Sequence, residues 1–494
     1  MQGFEAYHHQ KKIIADLEAA INLLQWDQEV NNIKGSLARR ASQLGTLSAI
    51  KQHKLINETY PLVQKLCDAP NLSTFEQKNI EQDLKDLKKI TRLSVEFAAQ
   101  LAEACSWAQS VWEEAKKESN FKIFEEPLEK LLNLKRQEAE YYGYDTEPYD
   151  ALLDIYEPGA QAKQIAELFS SLIPPIKDLL SHIQKKTKPA EDILINQIFP
   201  KEKQWALGID TLKHLGFNFE KGHVGVSSHP FSIAISMEDV RITTRIDENN
   251  LHLMLYSTIH ECGHALYEQG LPPEYYGLPV AQACSLSIHE SQSRLWENNI
   301  GRSLAFCEFL FPQLVAYFPD ALQNYTAYHF YQSVNRVEPS LIRILADELT
   351  YHLHIALRFE LERSLINGQL KVKELPEAWN QLIKEYLGLE VPNDAQGVLQ
   401  DIHWSLGSFG YFPTYSLGSL YAAQFYNTLQ KQIPNLQEDI KQGKFESIHQ
   451  WLQENIYSKG RLYTSEEICQ AATGEKLNPQ HFIDYLKNKL ETIY

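Results

Sequence analysis

Apolar residues recur at helical spacing along most of this chain. Ile13, Leu17, Ile21 and Leu24 mark an amphipathic helix near the start, and from Ser73 to about Lys117 the positions Ile80, Leu84, Leu87, Val95 and Leu101 predict one long helix or two in series. Ser73 with Glu76 forms a capping box at its start. The same period runs through 164–183, 253–269, 287–300, 342–365 and 417–433, the first of these with a kink or break expected at Pro174-Pro175. One stretch departs from it. Between His223 and Ile246, the residues Val240, Ile242, Thr244 and Ile246 alternate with Arg241, Thr243 and Arg245, which is strand spacing rich in β-branched residues. The pattern therefore predicts a mainly α protein with a small β-ribbon leading directly into the 253–269 helix.

The chain has 494 residues and lacks the Pro/Gly/Ser-rich linkers that separate domains, so a single domain over 1–494 is expected, a large helical body that can be split into two lobes. Within it, a helical N-terminal part reaches to about 220 and a second part, about 221–494, holds the chemistry described below. Hydrophobic residues make up 44%, enough for a large core and against disorder. A net charge of −17 with no compensating basic run argues against a nucleic-acid partner. The first residues enter the helical pattern with no basic and apolar export segment, and no run of about 18 apolar residues spans a bilayer, so no membrane partner is expected. The six cysteines show no C-x-x-C pairing and fit reduced thiols in the cytoplasm.

The chemistry concentrates in His260-Glu261-Cys262-Gly263-His264, an H-E-x-x-H pentad on the 253–269 helix. Imidazoles four residues apart share a helix face and can reach one Zn²⁺ at about 2.0–2.1 Å, with Glu261 beside them to deprotonate the water that the metal activates. Cys262 points off that face and reads as packing. Catalytic zinc takes three protein ligands and keeps one position open. A third histidine of the H-E-x-x-H-x-x-G-x-x-H kind is excluded, because Tyr267 and Gly270 stand where that pattern needs Gly and His. Glu268, on the same helix, would crowd the metal. A carboxylate from a second helix is the better candidate, and Glu290, 30 residues after His260, fits an antiparallel neighbour. His289 beside it could compete, and Glu290 could instead make a salt bridge.

These residues belong to a larger pattern that resembles the carboxypeptidase Taq family of metallocarboxypeptidases along nearly the whole chain. Its blocks follow in order: His229-Pro230-Phe231, Asp239-Val240-Arg241-Ile242-Thr243, the pentad, His289-Glu290-Ser291-Gln292, Ile342-Arg343-Ile344-Leu345-Ala346-Asp347, and Gly397-Val398-Leu399-Gln400-Asp401-Ile402-His403-Trp404. Two stretches depart: Asn31-Asn32-Ile33-Lys34, where family members often carry a Met-Pro turn, and Gly222-His223-Val224-Gly225. The resemblance implies an almost all-helical fold with a deep cleft, a homodimer, and release of C-terminal amino acids from peptide substrates with broad preference. It also implies His260, His264 and Glu290 on the metal, Glu261 as the proton-transferring residue, and zinc or cobalt as the ion.

Within those blocks, His403 is a candidate donor to the developing oxyanion, with Tyr415 behind it; a histidine tied to Asp401 and a cleft-lining tyrosine are the plainer alternatives. Holding the free carboxylate of a peptide suits a planar guanidinium, and Arg343 and Arg241 are the arginines in the blocks. Each could instead make a structural ion pair, Arg343 with Asp347 and Arg241 with Asp239. His229, held extended by Pro230, could face the metal or steady a loop. Two rivals remain open: a helical zinc endo-oligopeptidase, and a catalytically silent scaffold that keeps its metal for structure.

Overall fold

A computed structural model describes residues 3–31, 33–186 and 190–494. The helical period is realised almost throughout. The first helix spans Phe4–Asn31, and the long pattern after Ser73 resolves into two helices, Thr74–Ile90 and Val95–Glu118. Ser73 and Glu76 make the capping box, the Glu76 carboxylate accepting from the Ser73 amide at 2.8 Å and the Ser73 hydroxyl from the Glu76 amide at 3.3 Å. Ser94 caps the second helix by accepting from the Phe97 amide. Of the Asn31–Lys34 departure, Asn32 lies outside the described residues.

Two expectations are corrected. The segment around Pro174-Pro175 is not broken: one helix runs Ala162–Lys186 with both prolines inside it. Ile165, Phe169, Leu172, Ile176, Leu180 and Ile183 are all buried along it, and that continuous apolar face outweighs the missing amide donors. The helix expected from Ile342 begins only at Tyr351. The Asp347 carboxylate holds the turn that precedes it, accepting from the amides of Leu349 and Thr350 at 3.0 and 2.9 Å, while Arg343–Leu345 is a separate 3₁₀ turn.

The chain divides into two compact units. The first comprises Met1–Ile90, Glu191–Val334 and Tyr421–Leu477; the second comprises Thr91–Ala190, Asn335–Leu420 and Asn478–Tyr494. In the first, β1 (Gly222–Val226), β2 (Ser232–Ser236) and β3 (Asp239–Thr244) form a sheet in the order β1-β3-β2, with β1 parallel and β2 antiparallel to β3. Val240 and Ile242 of β3 are fully buried, as the alternation requires. The last residue of β3, Thr244, fastens the sheet to the next helix: its hydroxyl lies 3.2 Å from the Met254 carbonyl and accepts from the Thr258 hydroxyl at 2.8 Å. That helix, Leu251–Gly270, carries the pentad and is buried on nearly every side. No described helix is long and apolar enough to cross a membrane.

Candidate metal centre and its surroundings

The pentad helix packs against a second helix, Leu286–Arg294, capped by Ser285 and continued by a π-helical turn over Leu295–Ile300. The approach is unusually close because of Gly263. A Cβ added there would lie 2.5 Å from the Gln292 carbonyl oxygen and 2.6 Å from the Ser293 Cα, so only glycine lets the backbones meet at this point.

This contact brings Glu290 to the two histidines. Its Oε2 lies 3.6 Å from His260 Nε2 and 3.4 Å from His264 Nε2, and the three donor atoms all fall within 4.8 Å of one another. Ligands held tetrahedrally at about 2.0–2.1 Å from one ion stand about 3.3–3.4 Å apart, so the spacing suits a metal, and two imidazole nitrogens with one carboxylate oxygen suit zinc chemistry. His289 does not join them. Its Nδ1 lies 2.6 Å from His264 Nδ1, on the ring edge away from Nε2. Cys262 is fully buried and packed, as expected.

The charges around the triad are strongly coupled. His260 Nδ1 lies 2.8 Å from Glu297 Oε2, which leaves Nε2 for a metal. Arg294 donates from Nε to Glu290 at 2.7 Å and from Nη1 to Glu297 at 3.2 Å, and Arg302 adds a second cation to Glu297 at 3.3 Å. Burial works against both carboxylates, yet these cations and His260 win: Glu290 sits well below the usual carboxylate range and Glu297 is lowered to about 2. Burial lowers His264 to about 3, with His289 adding to the effect, so this imidazole is neutral and able to ligate. Glu261 lies on the same helix, 6% exposed; burial pushes its carboxyl up to about 7, His260 opposing and Glu290 adding. A cation in the triad would draw that value down.

Arg294 thus balances two buried carboxylates. Arg294→Met is expected to lower the stability of the metal-free protein by about 3–5 kcal/mol, and added zinc should recover part of the loss, because an ion neutralises Glu290 in its place. Denaturant melts with and without zinc check this; equal losses in both would contradict it.

The residues outside the triad are placed as follows. Arg241 makes the two-pronged bond to Asp239, both contacts 2.8 Å, and so realises the ion-pair alternative. His229 is exposed in the loop between β1 and β2, where its carbonyl accepts from the Ser227 hydroxyl at 2.6 Å. In the second unit Arg343 is buried and does not pair with Asp347, which is occupied by the turn before the helix. Its guanidinium reaches Asp401 at 2.9 Å and the Tyr351 hydroxyl at 3.1 Å. Asp401 is shared with the fully buried Arg358 at 2.6 Å, and both arginines hold it below the usual carboxylate range against burial. His403 is therefore not tied to Asp401: its Nε2 lies 3.2 Å from the Tyr415 hydroxyl and its Nδ1 is buried with no hydrogen-bond partner among the described residues. Burial lowers His403 to about 4, so it is neutral. Asp401 is thus the shared partner of two guanidiniums.

Sequence reasoning missed Glu297, Arg294, Arg302 and Arg358. Glu297 had a usable signal, since seven residues after Glu290 is two helical turns along the same face. Arg358 had none, because its partner lies 43 residues away.

The model of the carboxypeptidase Taq (M32) metallopeptidases matches residues 6–490 of this chain. The chain belongs to that family. The enzyme is 36% identical to carboxypeptidase 1 of Bacillus subtilis over 487 residues, covering 98% of this chain and 97% of that one. It is 38% identical to thermostable carboxypeptidase 1 of Pyrococcus furiosus over 473 residues, 95% of each. The crystal structure of the M32 carboxypeptidase from Deinococcus radiodurans superposes with a TM-score of 0.97 at 35% identity, covering 99% of both chains. This metallocarboxypeptidase is thus mainly helical with one small sheet, and His260, His264 and Glu290 form its candidate metal centre.

Proposed function

We propose that the enzyme is a zinc-dependent carboxypeptidase that releases C-terminal amino acids from peptides with broad preference. The observation that carries this is the triad of His260, His264 and Glu290 at metal spacing, with Glu261 buried on the same helix. A divalent ion held there supplies Lewis acidity, lowering the pKa of water to about 7 and polarising the scissile carbonyl. Glu261 accepts the proton of the attacking water and delivers it to the leaving amine. Its dry surroundings keep the carboxyl near neutrality before the ion adds its charge.

His403 and Tyr415, hydrogen-bonded to one another, are the proposed donors to the developing oxyanion. Arg343 is the proposed holder of the peptide carboxylate, supported by a planar guanidinium whose one carboxylate partner, Asp401, is shared with Arg358. Arg241 and His229 are carried as substrate-binding residues on the resemblance; the Asp239 pair makes Arg241 the weaker of the two arginines. Cobalt as a substitute ion and a homodimer rest on the resemblance also. Six free cysteines suit a reducing compartment such as the cytoplasm.

Incubating the zinc-loaded protein with a peptide and with its C-terminally amidated twin tests the reading. Release of single residues from the free acid only is expected, because the amide offers Arg343 no carboxylate. Equal cleavage of both, at internal bonds, would replace it with an endo-oligopeptidase.

A further inference from the structure

One turn beyond His264, Glu268 is joined to the triad through His289. His264 Nδ1 lies 2.6 Å from His289 Nδ1, and His289 Nε2 lies 2.8 Å from Glu268 Oε1. Proton counting allows one arrangement that leaves a metal ligand. For His264 Nε2 to keep its lone pair, the His264 proton must sit on Nδ1. That N–H donates to His289 Nδ1, which places the His289 proton on Nε2. The Glu268 carboxylate accepts it there.

The rings are held as well as the protons. His289 packs on the His264 ring with centroids 4.6 Å apart and on Tyr267 at 5.5 Å, and Tyr267 is itself fully buried with its hydroxyl accepting from the Cys284 amide. The support is unlike that of His260, whose Nδ1 meets a carboxylate directly. Glu268 also lines a cavity of about 510 Å³ within the first unit, bordered by Lys11, Asp86, Ser236 and Arg461, so a side chain of similar size has room there.

We infer that Glu268 and His289 are positioning residues, a two-step brace that fixes His264 in the tautomer and ring orientation a metal requires. The inference rests on His264 being a ligand. The brace needs an acceptor at position 268, not a charge, and this separates it from a general electrostatic role.

The test uses the full chain stripped of metal, with zinc affinity measured by competition against a chromogenic chelator and apo melting recorded alongside. Glu268→Leu, which fills the same space without an acceptor, is expected to lose about 10–100-fold in zinc affinity. Glu268→Gln, whose amide oxygen accepts the same N–H, is expected to stay within about threefold of the parent. Parental zinc affinity in Glu268→Leu would overturn the brace, as would a loss in Glu268→Gln equal to that in Glu268→Leu. His264→Ala is the companion: full zinc affinity there would instead remove the ligand reading on which the brace stands.

Discussion

Glu261→Gln is expected to lower kcat by about 10²–10⁴ while zinc content stays at the parental level and KM moves little. The substitution keeps the shape of the side chain, so the buried helix around it should be undisturbed. What it removes is the ability to take and return a proton. Glu261 is not one of the three atoms at metal spacing, so the triad keeps its donors. Zinc content by atomic absorption, measured beside steady-state kinetics on a short peptide, separates the two effects. Unchanged turnover would leave a metal site without chemistry, the scaffold alternative; lost zinc would make Glu261 part of the ligand set.

Gly263→Ala is expected to damage fold and metal site together. Alanine gains about 1 kcal/mol of helix propensity over glycine, so on local grounds alone the change would stabilise. The opposing contact is larger. The added Cβ meets backbone atoms of Gln292 and Ser293 at 2.5 and 2.6 Å, and backbone cannot swing aside as the end of a side chain can. The Leu286–Arg294 helix must move away as a body, which costs about 1–3 kcal/mol as overpacking and carries Glu290 away from His260 and His264. A lower apo melting temperature and at least a tenfold weaker zinc affinity are expected. Gly45→Ala is the control: in the Leu37–Lys54 helix, with nothing near the added Cβ, it should be neutral or stabilising. A Gly263→Ala protein as stable as the parent would show that the helices do not need their close approach.

Much of the fold was legible because burial here follows the local period. The pentad helix appeared where the apolar spacing placed it and the capping box where Ser73 and Glu76 stand. The alternation of β3 holds at Val240 and Ile242 but not at Thr243, which is also buried, and the strand ends at Thr244. β1 and β2 were not read as separate strands. β1 is short and interrupted by Gly222 and Gly225, and β2 has every position half-buried, so neither shows a sharp alternation. At Pro174-Pro175 a kink or a break was expected, and the break does not occur because the buried face carries the helix through both prolines.

The triad was accessible for a different reason: two of its members share one helix turn, and the third stands in a block whose resemblance carried its role. The partners of the triad were not accessible. Glu297 and Arg294 matter because two helices lie side by side, and the charge balance between them exists only after packing. The same holds in the second unit, where helical spacing offered Asp347 as the alternative ion-pair partner of Arg343, yet a 3₁₀ turn places Arg343 on Asp401.

The most direct test is a crystal of the full chain grown with excess zinc, with the ion located by anomalous scattering. The expected result is one zinc with His260 Nε2 and His264 Nε2 at about 2.0–2.1 Å and a Glu290 oxygen at about 2.0–2.2 Å. Zinc bound elsewhere, or held by the two histidines with both Glu290 oxygens well outside bonding distance, would contradict the account.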